Sequence, residues 1–119
     1  MLQKQEVGKF GETLAKNYLV KHGYKIIDSN VKLSYKEIDI IAKKQDQTIF
    51  VEVKTRTSLT FGEADNAMTC QKTKNFKKAV ELYINSKNIF ADNVRADLIS
   101  IDIDKNKKTA NIKHYQDIF

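Results

Sequence analysis

The chain has 119 residues, 41% hydrophobic and 30% charged, and its 21 Lys and Arg against 15 Asp and Glu give a net charge of +6. That length supports one domain with a single modest core. The one cysteine, Cys70, excludes an internal disulfide and a cysteine-rich zinc site, which fits a reduced, cytoplasmic setting. The polar start, MLQKQEVGKF, predicts neither a secretory signal nor a spanning helix, so no membrane partner is expected. The positive balance favours a polyanion such as nucleic acid, although lysine-rich surfaces also serve plain solubility.

In chain order, the spacing of Val7, Phe10, Leu14, Tyr18 and Leu19 predicts an amphipathic helix from about Gln3 to His22, with Gly23 at its C′ position. Tyr24 to Ile27 reads as a short strand that runs into a polar connection at Asp28-Ser29-Asn30. Ile38, Ile40 and Ala42 alternating with Glu37, Asp39 and Ile41 predict a second strand. Lys43 to Gln47 is a hairpin loop, and Ile49 to Lys54 a third strand antiparallel to the second. Thr55 to Glu63 reads as an irregular loop. A second helix is expected from about Asp65 to Ser86, with Met68, Phe76, Ala79, Val80, Tyr83 and Ile84 as its buried stripe. Val94 to Ile103 and Thr109 to His114 complete the set as two strands. The predicted fold is α/β, a mixed central sheet flanked by helices in the order helix, three strands, helix, two strands.

The apolar second and third strands carry Glu37, Asp39, Glu52 and Lys54, charges that folding alone does not call for. Side-chain alternation puts Glu37 with Asp39 and Glu52 with Lys54, and adjacent pairing would gather all four. Asp39 and Glu52 offer hard oxygens suited to Mg2+ or Mn2+, with the Val53 backbone carbonyl as a third ligand. Lys54 would orient an attacking water or hold a phosphate. Together these parts suit phosphodiester hydrolysis. The plainer reading is a set of solvent-facing cross-strand charge pairs.

The Asp39…Glu52-Val53-Lys54 arrangement resembles the PD-(D/E)xK nuclease superfamily. The whole chain is similar to the YraN-type family of small bacterial proteins, distantly related to archaeal Holliday junction resolvases. The resemblance rests on Gly8-x-x-Gly11-Glu12-x-x-Ala15-x-x-Tyr18-Leu19, Gly23, Asn30, Glu37-Ile38-Asp39-Ile40-Ile41-Ala42, Phe50-Val51-Glu52-Val53-Lys54-x-Arg56, Phe61-Gly62 and Arg95-Ala96-Asp97. It implies a restriction-endonuclease-like core and a metal-dependent endonuclease acting on DNA, branched or junction DNA included. A homodimer is expected if the enzyme makes paired cuts. It also implies a site at Asp39, Glu52 and Lys54, with Glu12 reaching the metal through water; by itself Glu12 reads as an exposed helix residue. Glu37 takes a supporting role. The chain departs from the pattern with Lys36 where the family often has glycine, and with Gln71-Lys72 where the family has Lys-Gln.

Arg56 points the way Lys54 does if the strand continues, and could hold a phosphate or be a surface arginine. Lys72 falls on the buried stripe, and either snorkels to solvent or reaches the site. Gln71 and Lys74 are further candidate nucleic-acid contacts. Tyr35 and Phe61 could stack on bases or close a core edge. His22 and His114 read as surface residues, and Arg95 with Asp97 as a structural ion pair. The alternative to a nuclease is a non-catalytic nucleic-acid-binding module that keeps the fold.

Overall fold

The computed structural model describes residues 4–34, 36–57, 70–89 and 91–119, without the side chains of Lys4, Gln5, Cys70, Gln71 and Ala91. Its elements are α1 (Lys4–Lys21), β1 (Lys25–Leu33), β2 (Lys36–Lys44), β3 (Gln47–Thr57), α2 (Cys70–Lys87), β4 (Val94–Asp104) and β5 (Thr109–Tyr115). A 3-10 turn at Ala91–Asn93 leads into β4. The strands form one five-stranded sheet in sequence order. The β3–β4 pair is parallel, spanned by α2 as a crossover, and the other pairs are antiparallel. The predicted element order and mixed sheet are thus the observed ones. No helix among the described residues is long and apolar enough to cross a membrane.

Alternation along β3 builds two cores. Ile49, Val51 and Val53 pack with Ala15 and Leu19 of α1, and Phe50 packs with Phe76, Ala79, Val80 and Tyr83 of α2. The helices therefore cover opposite faces of the sheet. The end of α1 is fixed by Gly23 at φ 89, with Gly23 N–H donating to Val20 O and Tyr24 N–H to Leu19 O. That is the Schellman arrangement expected of a C′ glycine.

Two boundaries differ from those predicted. Strand β1 continues through Asp28-Ser29-Asn30 to Leu33, because those polar residues pair with Ile41, Ile40 and their neighbours on β2. A register shift between Ile26 and Asp28 and a positive φ of 51 at Asn30 bend β1 without ending it. Strand β3 runs on through Thr55, Arg56 and Thr57, which pair in parallel with Ile101, Asp102 and Ile103. The rest of the predicted loop and the first predicted turn of the second helix lie outside the described residues, which resume with α2 at Cys70.

One ionic cluster ties the α1 face together. Asp97 is fully buried and accepts from Arg95 Nε (2.9 Å), Arg95 Nη2 (2.8 Å) and the Asp117 N–H (3.0 Å), with His114 Nε2 at 2.7 Å. Arg95 also donates to the Tyr24 hydroxyl at 2.7 Å, and His114 Nδ1 lies 3.0 Å from the Tyr18 hydroxyl. The predicted Arg95–Asp97 pair is present. His114 is not the surface residue expected: its side chain is 7% exposed, drawn in by Asp97. His22 is exposed, as predicted. Burial alone would raise the Asp97 carboxyl, but hydrogen bonds from His114, Arg95 and the Asp117 N–H outweigh it and hold the carboxyl below its usual range.

Removing Asp97 strands Arg95 and His114 in the interior, so Asp97→Ala should lower unfolding free energy by about 3–5 kcal/mol in urea at pH 7. Because the folded pKa is the lower one, this stabilisation is present above the ordinary carboxylate range and is lost on acidification through the folded value. The wild-type advantage over Asp97→Asn should therefore shrink toward pH 3, and equal urea midpoints at pH 7 would show that the network contributes nothing.

Candidate active site

Strands β2 and β3 pair from Lys44↔Gln47 to Ile40↔Val51. The next step of that register sets Asp39 opposite Glu52, and there backbone pairing gives way to a side chain. The Val53 N–H donates to Asp39 Oδ2 at 2.8 Å. A residue in a strand points its N–H and C=O to the same side, so the Val53 carbonyl also faces this fork. Strand β2 rotates here as well. Ile40 belongs to the α1 core and Ile38 to the α2 core, although two residues apart they would share a face in a regular strand.

The fork opens into a cleft of about 640 Å3, lined by Glu12, Asp39, Glu52, Val53, Lys54 and Arg56 together with Val7, Gly8, Thr55, Thr57 and Lys105. Every predicted catalytic and metal-binding residue is thus in one cleft. Glu12 arrives there because Gly11 is buried directly against β3, where a Cβ would overlap the Thr55 side chain. A short β-branched side chain cannot swing clear, so glycine is what lets α1 sit this close. Glu12 Oε1 and Glu37 Oε1 both accept from Asn30 Nδ2, at 2.9 and 3.3 Å.

The two central carboxylates are held under strain. Burial raises the Asp39 carboxyl to about 6; the Val53 N–H and Lys54 only partly offset that, and Glu12 and Glu37 push it further up. Burial and then the neighbouring Asp39 raise Glu52 to about 8, against the opposing pull of Lys54 and Lys72. The cause in both cases is charge removed from water without enough compensating donors.

The donor set suits a hard divalent cation. Three carboxylates, Glu12, Asp39 and Glu52, line the cleft with Val53, and among the described residues no His or Cys does. Among the described residues no three His, Cys, Asp or Glu side chains converge into a ready-made cage. Hard oxygen donors of this kind could hold Mg2+ or Mn2+, which keep part of their water shell, and are a poor match for zinc.

The outer candidates divide. Arg56 lines the cleft but also meets Asp102 on the neighbouring strand, Nε to Oδ1 at 3.4 Å. Lys72 is exposed on α2 rather than in its buried stripe. It lines a second recess of about 210 Å3 with Lys36, Glu37, Glu52 and Asn75, so Glu52 stands between the two openings. Lys74 is exposed and lines neither opening. The Gln71 side chain, Tyr35 and Phe61 lie outside the described residues. Sequence reasoning counted Asn30 in the family resemblance but gave it no site role, since its polar neighbours look like a turn, and gave none to Lys105, which a charge count alone cannot place.

The model of uncharacterised protein family UPF0102 matches residues 11–101. A UPF0102 protein of Syntrophomonas wolfei is 42% identical over 107 residues, covering 90% of this chain and 93% of the relative. One from Dictyoglomus turgidum is 35% identical over 118 residues, covering 99% and 100%. One from Flavobacterium psychrophilum is 37% identical over 119 residues, covering 100% and 98%. Among solved structures, an FdxN element excision controlling factor protein from Anabaena variabilis matches at 17% identity and TM-score 0.39, covering 90% of this chain and 98% of that one.

A folded-state pKa above the ordinary carboxylate range means the folded protein keeps a proton that the unfolded chain releases. Metal-free stability should therefore fall as pH rises from about 4 to about 8 and level off above. Glu52→Gln removes the charge, so it should melt several degrees higher than wild type at pH 8 and alike near pH 4 in chelator. Identical melting curves at pH 8 would show that the Glu52 carboxylate carries no such strain.

Proposed function

The chain belongs to uncharacterised protein family UPF0102, and we propose that it is a Mg2+- or Mn2+-dependent nuclease that hydrolyses phosphodiester bonds internally in DNA. The observation that carries this reading is the pair of dehydrated carboxylates, Asp39 and Glu52, sharing one cleft with Lys54, Arg56 and Lys105. A structural ion pair would be satisfied, as Asp97 is. This pair sits in a cleft that a substrate can enter, in a protein of net charge +6.

Asp39, Glu52 and the Val53 carbonyl would hold the cation, which when bound supplies charge neutralisation at the phosphoryl oxygens and a water of lowered pKa. The Val53 N–H fixes the Asp39 rotamer, so little reorganisation is needed on loading. Lys54, next along β3 from Val53, orients the attacking water or holds the scissile phosphate. Arg56 and Lys105 on the cleft wall neutralise flanking phosphates, and Lys72 and Lys36 serve the strand where it passes beyond Glu52. Branched DNA is the favoured substrate on the resolvase resemblance, with two copies of the chain making paired cuts in the cytoplasm.

A binding module without catalysis is the second reading, favoured by Lys54, Arg56 and Lys105 on the cleft wall, which could hold a phosphate backbone without cutting it. Cleavage assays separate the two. With Mg2+ or Mn2+ the protein should cut at least one of a branched, flapped, single-stranded and duplex panel. Asp39→Asn and Lys54→Ala should each lower the rate by about 100-fold or more, with DNA binding kept by Asp39→Asn. An intact panel under both metals, or full activity in Asp39→Asn, overturns the assignment.

A further inference from the structure

Asn30 stands at an unusual place. It lies inside β1, yet its φ is 51, the left-handed region. An asparagine tolerates that conformation better than most residues, though at a cost glycine would not bear. In the β1–β2 register it falls between Ser29↔Ile40 and Val31↔Ile38, which sets it opposite Asp39. The kink in β1 thus lies level with the point where β2 turns Ile38 and Ile40 into different cores.

The side chain uses this position. One amide nitrogen, Nδ2, donates to Glu12 Oε1 of α1 at 2.9 Å and to Glu37 Oε1 of β2 at 3.3 Å. Each acceptor raises the Asp39 carboxyl by its charge, so each belongs to the electrostatics of the site. Glu12 lines the cleft and Glu37 the recess on the other side of Glu52. Neither glutamate is enclosed enough to fix its own rotamer, and an untethered glutamate would lose conformational freedom on meeting a cation shell.

We infer that Asn30 is a positioning residue for divalent-cation binding: its amide ties Glu12 and Glu37 into one fixed arrangement, so that Glu12 meets the hydrated cation at Asp39 and Glu52 already in place. This rests on the cation reading of the cleft. A single donor shared by two carboxylates also keeps them from spreading apart by repulsion, which holds Glu12 of the helix in a set position against Glu37 of the strand. The arrangement is the outer support that hydrogen-bonded groups give to a metal site, where loss of one support typically weakens binding by about 10–100-fold.

Asn30→Gly separates this role from a structural one. Glycine accepts φ 51 without strain, so the kink should survive and the melting temperature in chelator should hold or rise. The amide is gone, so Mn2+ affinity measured by calorimetry should fall by about 10-fold or more. In a Glu12→Ala background, Asn30→Gly should cost little further affinity, because the group it positions is absent. Wild-type Mn2+ affinity in a folded Asn30→Gly protein overturns the inference while leaving the carboxylate site standing. Failure of the wild type itself to bind Mn2+ overturns both.

Discussion

The structure turns on the Val53 N–H donating to the Asp39 carboxylate. Where β2 and β3 part beyond Ile40↔Val51, the backbone of β3 would face the opening with no strand partner. A backbone donor in a sheet interior needs an acceptor, and Asp39 supplies one from its side chain at 2.8 Å. The sheet can therefore fork without an orphaned amide. The same contact anchors Asp39 beside Glu52 and turns the neighbouring Val53 carbonyl toward the opening. One hydrogen bond thus closes the fork and sets Asp39 beside Glu52.

Buried carboxylates in this chain follow two opposite courses. Asp97 is the more deeply enclosed, yet Arg95, His114 and the Asp117 N–H hold its carboxyl low. Asp39 and Glu52 are only half-buried, yet they are pushed up, because one backbone donor and the lysines nearby do not replace the water they lose. Residue type and burial do not separate these cases; the count of donors does. Donors within the fold satisfy Asp97 and leave the Asp39–Glu52 pair short.

Much of this was legible in the sequence, for identifiable reasons. Charges at Asp39, Glu52 and Lys54 stand out against the apolar alternation of β2 and β3, and alternation is a local signal. Glu12 was reachable only through the family resemblance, because what brings it in is the contact of Gly11 with Thr55, between residues distant in sequence. The strand place of Asn30 was hidden because Asp28-Ser29-Asn30 has the composition of a turn, and only pairing with β2 makes it a strand. Thr55 to Thr57 were likewise read as loop, since a parallel partner such as Ile101 leaves no trace in the neighbouring residues. His114 was misjudged for the same reason: Asp97, which draws it inward, lies on another strand.

The central claim is that the fork between β2 and β3 is completed by a divalent cation. Titration with substoichiometric Mn2+, followed by backbone amide NMR, tests it most directly. Paramagnetic broadening should strike the amides of Asp39, Glu52, Val53 and Lys54 first and disappear in Asp39→Asn. Broadening that begins elsewhere, or that survives unchanged in Asp39→Asn, would contradict the account.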